Sequence, residues 1–230
     1  MELERTVANL LEATERRFYG KYRGLVVDNK DPARLGRLRV SVPSVLGPDV
    51  VTGWATPCLP YGGAADQGFL FVPEQNAGVW VEFEEGDLEF PIWVGTYWTR
   101  PGSESQLPKP QAADGSDQRS VQDPPTRKII KTRKGHTIQF EDADGEESIL
   151  LREGGQGHRI MMDSEGITIL DKWSNTIVSN ASGISLSDST GNAIRMDESA
   201  MTLSSAVPFS IDASGQTVTI VAAGIDLRKG

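Results

Sequence analysis

The chain has 230 residues, 38% of them hydrophobic, which is enough for one large or two small packed domains and too much for a disordered segment. A formal net charge of −9 works against binding to phosphate backbones or anionic membrane surfaces. The single cysteine, Cys58, rules out an internal disulfide and a cysteine-based zinc cage.

The first residues, MELERTVANLLEATERRF, lack the basic start and unbroken apolar core of a signal peptide, and no later run of about 18 apolar residues predicts a membrane span. The expectation is a chain made and kept in a cytoplasm. Leu3, Val7 and Leu10 recur at spacings of four and three, with Leu11 alongside, which predicts an amphipathic helix over residues 2–17. Such a helix is marginal alone. Its seam packs either on its own domain or on another protein.

From Tyr22 the chain turns to short alternating segments: YRGLVVD (22–28), RLRVSV (37–42), VTGWATPC (51–58), GVWVEFE (78–84) and IWVGTYW (92–98), each bounded by turn residues. Five strands of this length predict a small Greek-key barrel, the OB fold. Trp54, Trp80, Trp93 and Trp98 fall on these segments, where packing of the core and barrel ends is expected before any binding role. Residues 101–126 carry no apolar period and are rich in Pro, Ser, Gln and Asp, as a linker would be. All prolines but Pro208 lie at or before Pro125, and because proline removes a ladder donor, the rest of the chain is free to form uninterrupted sheet.

Three units then align without gaps: GHRIMMDSEGITILDKW (157–173), SNTIVSNASGISLSDST (174–190) and GNAIRMDESAMTLSSAV (191–207). Ile160, Ile177 and Ile194 coincide, as do Ile167, Ile184 and Met201, and Ile169, Leu186 and Leu203; the frame continues to Ile211, Val218 and Ile220. Each half-unit predicts a strand of about five residues, roughly 16 Å long, ending in a turn. Two such strands supply one narrow apolar stripe, which closes most simply if three chains each contribute one wall around a shared axis. The nine residues of the three aligned columns are the expected trimer core. A monomeric β-helix that binds carbohydrate or acts on peptidoglycan is the alternative.

The stretches YRGLVVDNKDPARLGRLRVSVPSVLG (22–47), FLFVPEQNAGVWVEFEEGDLEFPIWVGTYW (69–98) and GHTIQFEDADGEESILLREGGQGHRI (135–160) together resemble the central spikes of contractile injection machines. These are the baseplate assembly protein V of contractile phage tails, the VgrG-like spike of type VI secretion, and the spikes of phage-tail-like particles. The resemblance implies an all-β protein: an N-terminal hub-docking helix (1–19) using Leu3, Val7, Leu10 and Leu11, an OB-fold collar (20–100), a linker (101–126) and an intertwined trimeric β-helix (127–230). It also implies a baseplate hub protein above, a PAAR-type tip protein at the C-terminal end, no cofactor, and passage through a target envelope when the sheath contracts. Residues 101–126 are too short for the lysozyme domain that some phage spikes carry, and fused hub or effector domains have no counterpart in these residues. No enzyme activity is expected.

His136 and His158 begin strands with the parity of Ile138 and Ile160, which makes them axial candidates for a metal or anion; Asn175 and Asn192 occupy the position of His158, which fits a polar residue beside a turn. The acidic run Glu82, Glu84, Glu85, Asp87 and Glu89 reads as a wet strand face and turn rather than a glycosidase pair. No G-x-S-x-G elbow marks a nucleophile. The basic cluster Arg127, Lys128, Lys131, Arg133 and Lys134 reads as a solvated neck, and RLRVSV lacks the aromatic platform of a single-strand binder.

Overall fold

Valines and leucines at alternate positions give the first unit, residues 1–107, its sheet, while the 17-residue repeat gives the second, residues 108–230, another. The computed structural model describes residues 2–15, 17–112, 116, 118 and 124–228. The first unit begins with α1 (Glu2–Glu15), followed by β1 (Tyr22–Asp28), β2 (Arg39–Ser41), a single turn of helix α2 (Pro43–Leu46), β3 (Thr56–Pro57), β4 (Gly78–Phe83) and β5 (Pro91–Tyr97). The strand order is β2-β1-β4-β5-β3, antiparallel except for the β3–β5 pair. Bridges Leu38–Ala55 and Ser41–Val51 join the β2 side to the segment entering β3, so the sheet closes on itself. The inward residues Val26, Leu38, Val40, Val42, Ala55, Val79, Val81, Phe83 and Trp93 form the core.

The segment expected as a strand over 51–58 contributes only two strand residues and these bridges. Thr52 turns inward there: its hydroxyl accepts the Val40 N–H at 3.1 Å and its N–H donates to the Val40 carbonyl at 2.9 Å. Between β1 and β2 the chain is pinned by Asp31. Its carboxylate accepts N–H groups of Ala33 (3.0 Å) and Leu35 (2.8 Å) and the guanidinium of Arg37 (2.7 and 3.1 Å). Gly78 is required by close approach, since a Cβ there would stand 2.7 Å from the Tyr97 ring.

In the second unit nine strands follow one another: β6 (Arg127–Lys131), β7 (Thr137–Glu141), β8 (Ser148–Arg152), β9 (Arg159–Asp163), β10 (Gly166–Leu170), β11 (Thr176–Asn180), β12 (Gly183–Ser187), β13 (Ala193–Met196) and β14 (Met201–Ser204). Each pairs antiparallel with its neighbours in sequence. The ladder therefore runs through consecutive strands of one chain. The repeat fixes the turns. At one edge Asp163, Asn180 and Asp197 each accept the N–H two residues on, at 2.8–2.9 Å. At the other, Asp171 and Asp188 accept the N–H groups of Asn175 and Asn192, whose amides donate back at 2.7 Å. Such side-chain turns replace backbone bonds that the chain reversal would lose.

Residues 108–112, inside the stretch expected as a linker, lie against the sheet. The Gln111 N–H donates to Gln139 Oε1 and Gln139 Nε2 donates to the Gln111 carbonyl, both at 2.9 Å. The frame expected to continue through Ile211, Val218 and Ile220 forms no strand: the ladder ends at Ser204, and those three side chains are exposed. The turn residues change at this point. The Asp188–Asn192 pair is replaced one repeat later by Ser205 and Phe209, and Phe209 has no side-chain donor to close the turn.

Candidate functional site

Strand alternation sends every second side chain of β6–β14 to the same face. The register then stacks these side chains into two columns. One contains Ile130, Ile138, Leu151, Ile160, Ile169, Ile177, Leu186, Ile194 and Leu203, directly opposite one another from strand to strand. The second contains Lys128, Phe140, Ile149, Met162, Ile167, Ser179, Ile184, Met196 and Met201. At a strand spacing of about 4.8 Å the columns run for roughly 38 Å.

This apolar face is the open one. Ile167, Ile169, Ile177, Ile184 and Leu186 are 39–47% exposed, Leu203 is 57% and Met201 74% exposed, and Ile160 and Ile194 are half-buried. The opposite face is covered at its first strands, where Thr137, Gln139, Glu141, Leu150 and Met161 are buried. An apolar ribbon of this length, interrupted beyond β6 by Ser179 alone, exceeds the few hundred Å² that a soluble monomer usually leaves in one patch. The tail covers part of it: Val207–Ser210 walls a groove of about 720 Å³ whose floor includes Ile177, Leu186, Ile194 and Leu203.

All nine residues expected at the trimer core lie on this face. Sequence alignment of the repeats missed Ile130, Ile138, Phe140, Ile149 and Leu151, which extend the columns ahead of the repeat, and Met162 and Met196 within it. Their signal was the same alternation without the 17-residue period. His136 and His158 sit at the strand-end edge, outside both columns. His136 Nδ1 accepts the Gly154 N–H at 3.2 Å, and the His158 ring packs 5.7 Å from Trp173. Among the described residues no group of three or more His, Cys, Asp or Glu comes together in a form that could hold a metal ion.

Carboxylates elsewhere are engaged in structure. Glu82 pairs with Lys21, and Asp87 meets Arg17 at 3.4 Å while capping the Glu89 N–H at 3.1 Å. Glu141, which is buried, pairs with Arg127 and with the Thr126 hydroxyl. Burial alone would raise its pKa, but those two bonds and the Ala143 N–H bring it down to about 2. Arg127 and Lys128 of the basic cluster are paired with Glu141 and Asp142.

In the first unit, Leu3, Val7 and Leu11 are exposed along α1; the side chain of Leu10 lies outside the described residues. Trp93 is core, with its indole N–H donating to the Gly36 carbonyl at 3.1 Å. Trp80 and Tyr97 flank the Arg23 guanidinium at 5.5 and 5.4 Å, Trp54 lies 5.7 Å from that of Arg37, and Trp98 is exposed. The loop between β3 and β4 also exposes Tyr61, Phe69, Leu70 and Phe71. No described helix is long and apolar enough to cross a membrane.

No curated protein matches the chain. The closed five-stranded sheet, however, coincides with a family match over residues 22–98, to the type VI secretion system/phage-baseplate injector OB domain. The resemblance read from the sequence thus holds over this stretch, and the first unit carries an injector OB domain of the type VI secretion and phage-baseplate family.

Proposed function

We propose that the chain is the structural spike of a contractile injection system or phage tail baseplate, working as a homotrimer that pierces a target envelope on sheath contraction. The observation that carries this reading is the open two-column face of β6–β14 on a chain whose first unit is an injector OB domain. Three copies turned inward would bury all three ribbons on one axis, with walls about 16 Å wide. Residues 20–100 serve as the collar, 101–126 as its connection and 127–230 as the needle, while α1 in residues 1–19 offers Leu3, Val7, Leu10 and Leu11 to a hub protein above. A PAAR-type tip protein caps the C-terminal end. His136 and His158 are polar residues at the corners of the prism.

The mechanism is mechanical. A prism whose walls are continuous hydrogen-bonded sheets resists bending, because curvature would stretch every ladder along one side while opening the dry interior. No catalytic step is needed, and the particle is assembled in a bacterial cytoplasm.

Replacing Ile184 by Asp tests this directly. Three charges would converge in a low-dielectric interior at several kcal/mol each, so the variant is expected to be monomeric by sedimentation with its OB unit still folded. Ser185→Asp, one residue along on the opposite face, is expected to remain assembled. An Ile184→Asp protein that assembles like the parent would contradict the inward placement. Retention of polysaccharide by a monomeric parent chain would favour the carbohydrate-binding alternative.

A further inference from the structure

A repeat solves one problem of assembly and creates another. Within residues 157–207, moving by one repeat takes Ile160 to Ile177 to Ile194 and Ile169 to Leu186 to Leu203 in the first column, and Ile167 to Ile184 to Met201 in the second. A wall that slips along its partners by one repeat, two strands or about 10 Å, therefore meets apolar side chains again. One position breaks the degeneracy: Met162 becomes Ser179 and then Met196. Ser179 lies opposite Ile167 and Ile184 in the ladder, on the open face, and is the one polar residue in either column beyond β6.

We propose that Ser179 is the register marker of the assembly, the residue that selects the in-register trimer over slipped ones. This rests on the trimeric reading above. On a threefold axis the three Ser179 hydroxyls fall at one level. Each carries one donor and can accept, so three in a ring satisfy one another, each donating to the next. A slip of one wall separates them. The displaced hydroxyl is then buried between methionine side chains, and the two left behind lose the third member of the ring. Within residues 157–207 every other level meets an apolar side chain again after the slip, so in the repeat the penalty is concentrated at this residue, as a lone polar residue in an apolar seam fixes the pairing of coiled coils.

The test uses the full chain carrying Cys58→Ser and a spin label at Ala181→Cys, an exposed residue in the β11–β12 turn. Protein unfolded in denaturant and refolded is measured for mass and for inter-label distances. The parent and Ser179→Thr are expected to give a single distance. Ser179→Met is expected to stay trimeric while a second distance appears, displaced as a shift of about 10 Å along the axis requires. Ser179→Met/Met196→Ser, which moves the hydroxyl one repeat along, is expected to restore the single distance. A trimeric Ser179→Met protein with one distance overturns the inference and leaves the trimer standing. A monomeric parent removes the trimer and the inference together.

Discussion

Asp31 shows how much of the first unit depends on one carboxylate. The Arg37 side chain, together with the N–H groups of Leu35, Ala33 and Arg37, holds its pKa well below the usual carboxylate range against the effect of burial. Asp31→Asn is expected to lower the melting temperature of the OB unit and leave the second transition unchanged, as calorimetry would resolve. Leu38, fully buried at the centre of that core, is expected to cost about 2–5 kcal/mol when replaced by Ala. Glu141 supplies the pH dependence of the second unit. Its folded pKa of about 2 lies below the ordinary 4.5, so the stability it contributes is complete above about pH 4.5 and is lost as pH falls through 2. Thermal melts of Glu141→Gln are expected to show a shallower loss over that window; an unchanged slope would contradict the assignment. The sequence marks Asp31 only as part of a turn, because its contacts reach six residues along the chain and depend on the loop's final course.

At the scale of elements, the hairpins depend on glycines that admit a neighbouring carbonyl. A Cβ at Gly183, where φ is +124°, would stand 2.0 Å from the Met196 carbonyl. Gly183→Ala is therefore expected to open the β12–β13 edge, read as faster amide exchange in Ile184 and Leu186, which face β13, than in Thr168. A protection pattern like the parent's would show that the edge can shift to admit the methyl. Much of this was legible beforehand. The alternation of β1, β4 and β5 and the 17-residue spacing of Ile160, Ile177 and Ile194 are local patterns, and they set strand identity and facing without knowledge of the partner strand. What escaped depends on longer reach. The shrinkage of 51–58 to Thr56–Pro57 follows from Thr52 bonding across to Val40, and the packing of residues 108–112 on the sheet follows from an amide pair 28 residues apart. The end of the ladder at Ser204 coincides with the change of the Asp–Asn cap to Ser205 and Phe209, a side-chain detail that the apolar frame through Ile211 and Val218 does not register.

At the scale of the whole molecule, the chain carries an injector OB unit and a sheet whose apolar face is open, and covering that face would add to the stability of the second unit. The tail segment Val207–Ser210 reaches one end of the ribbon; the stretch from Ile130 to Ile160 has no such cover from it. In the proposed trimer, three copies would provide it with matching length and chemistry, and the opposite face would form the outside of the needle. The most direct measurement is the mass of the purified full chain by light scattering across a tenfold dilution. Three chains per particle at every concentration is the predicted result, and a stable, folded single chain would contradict the account.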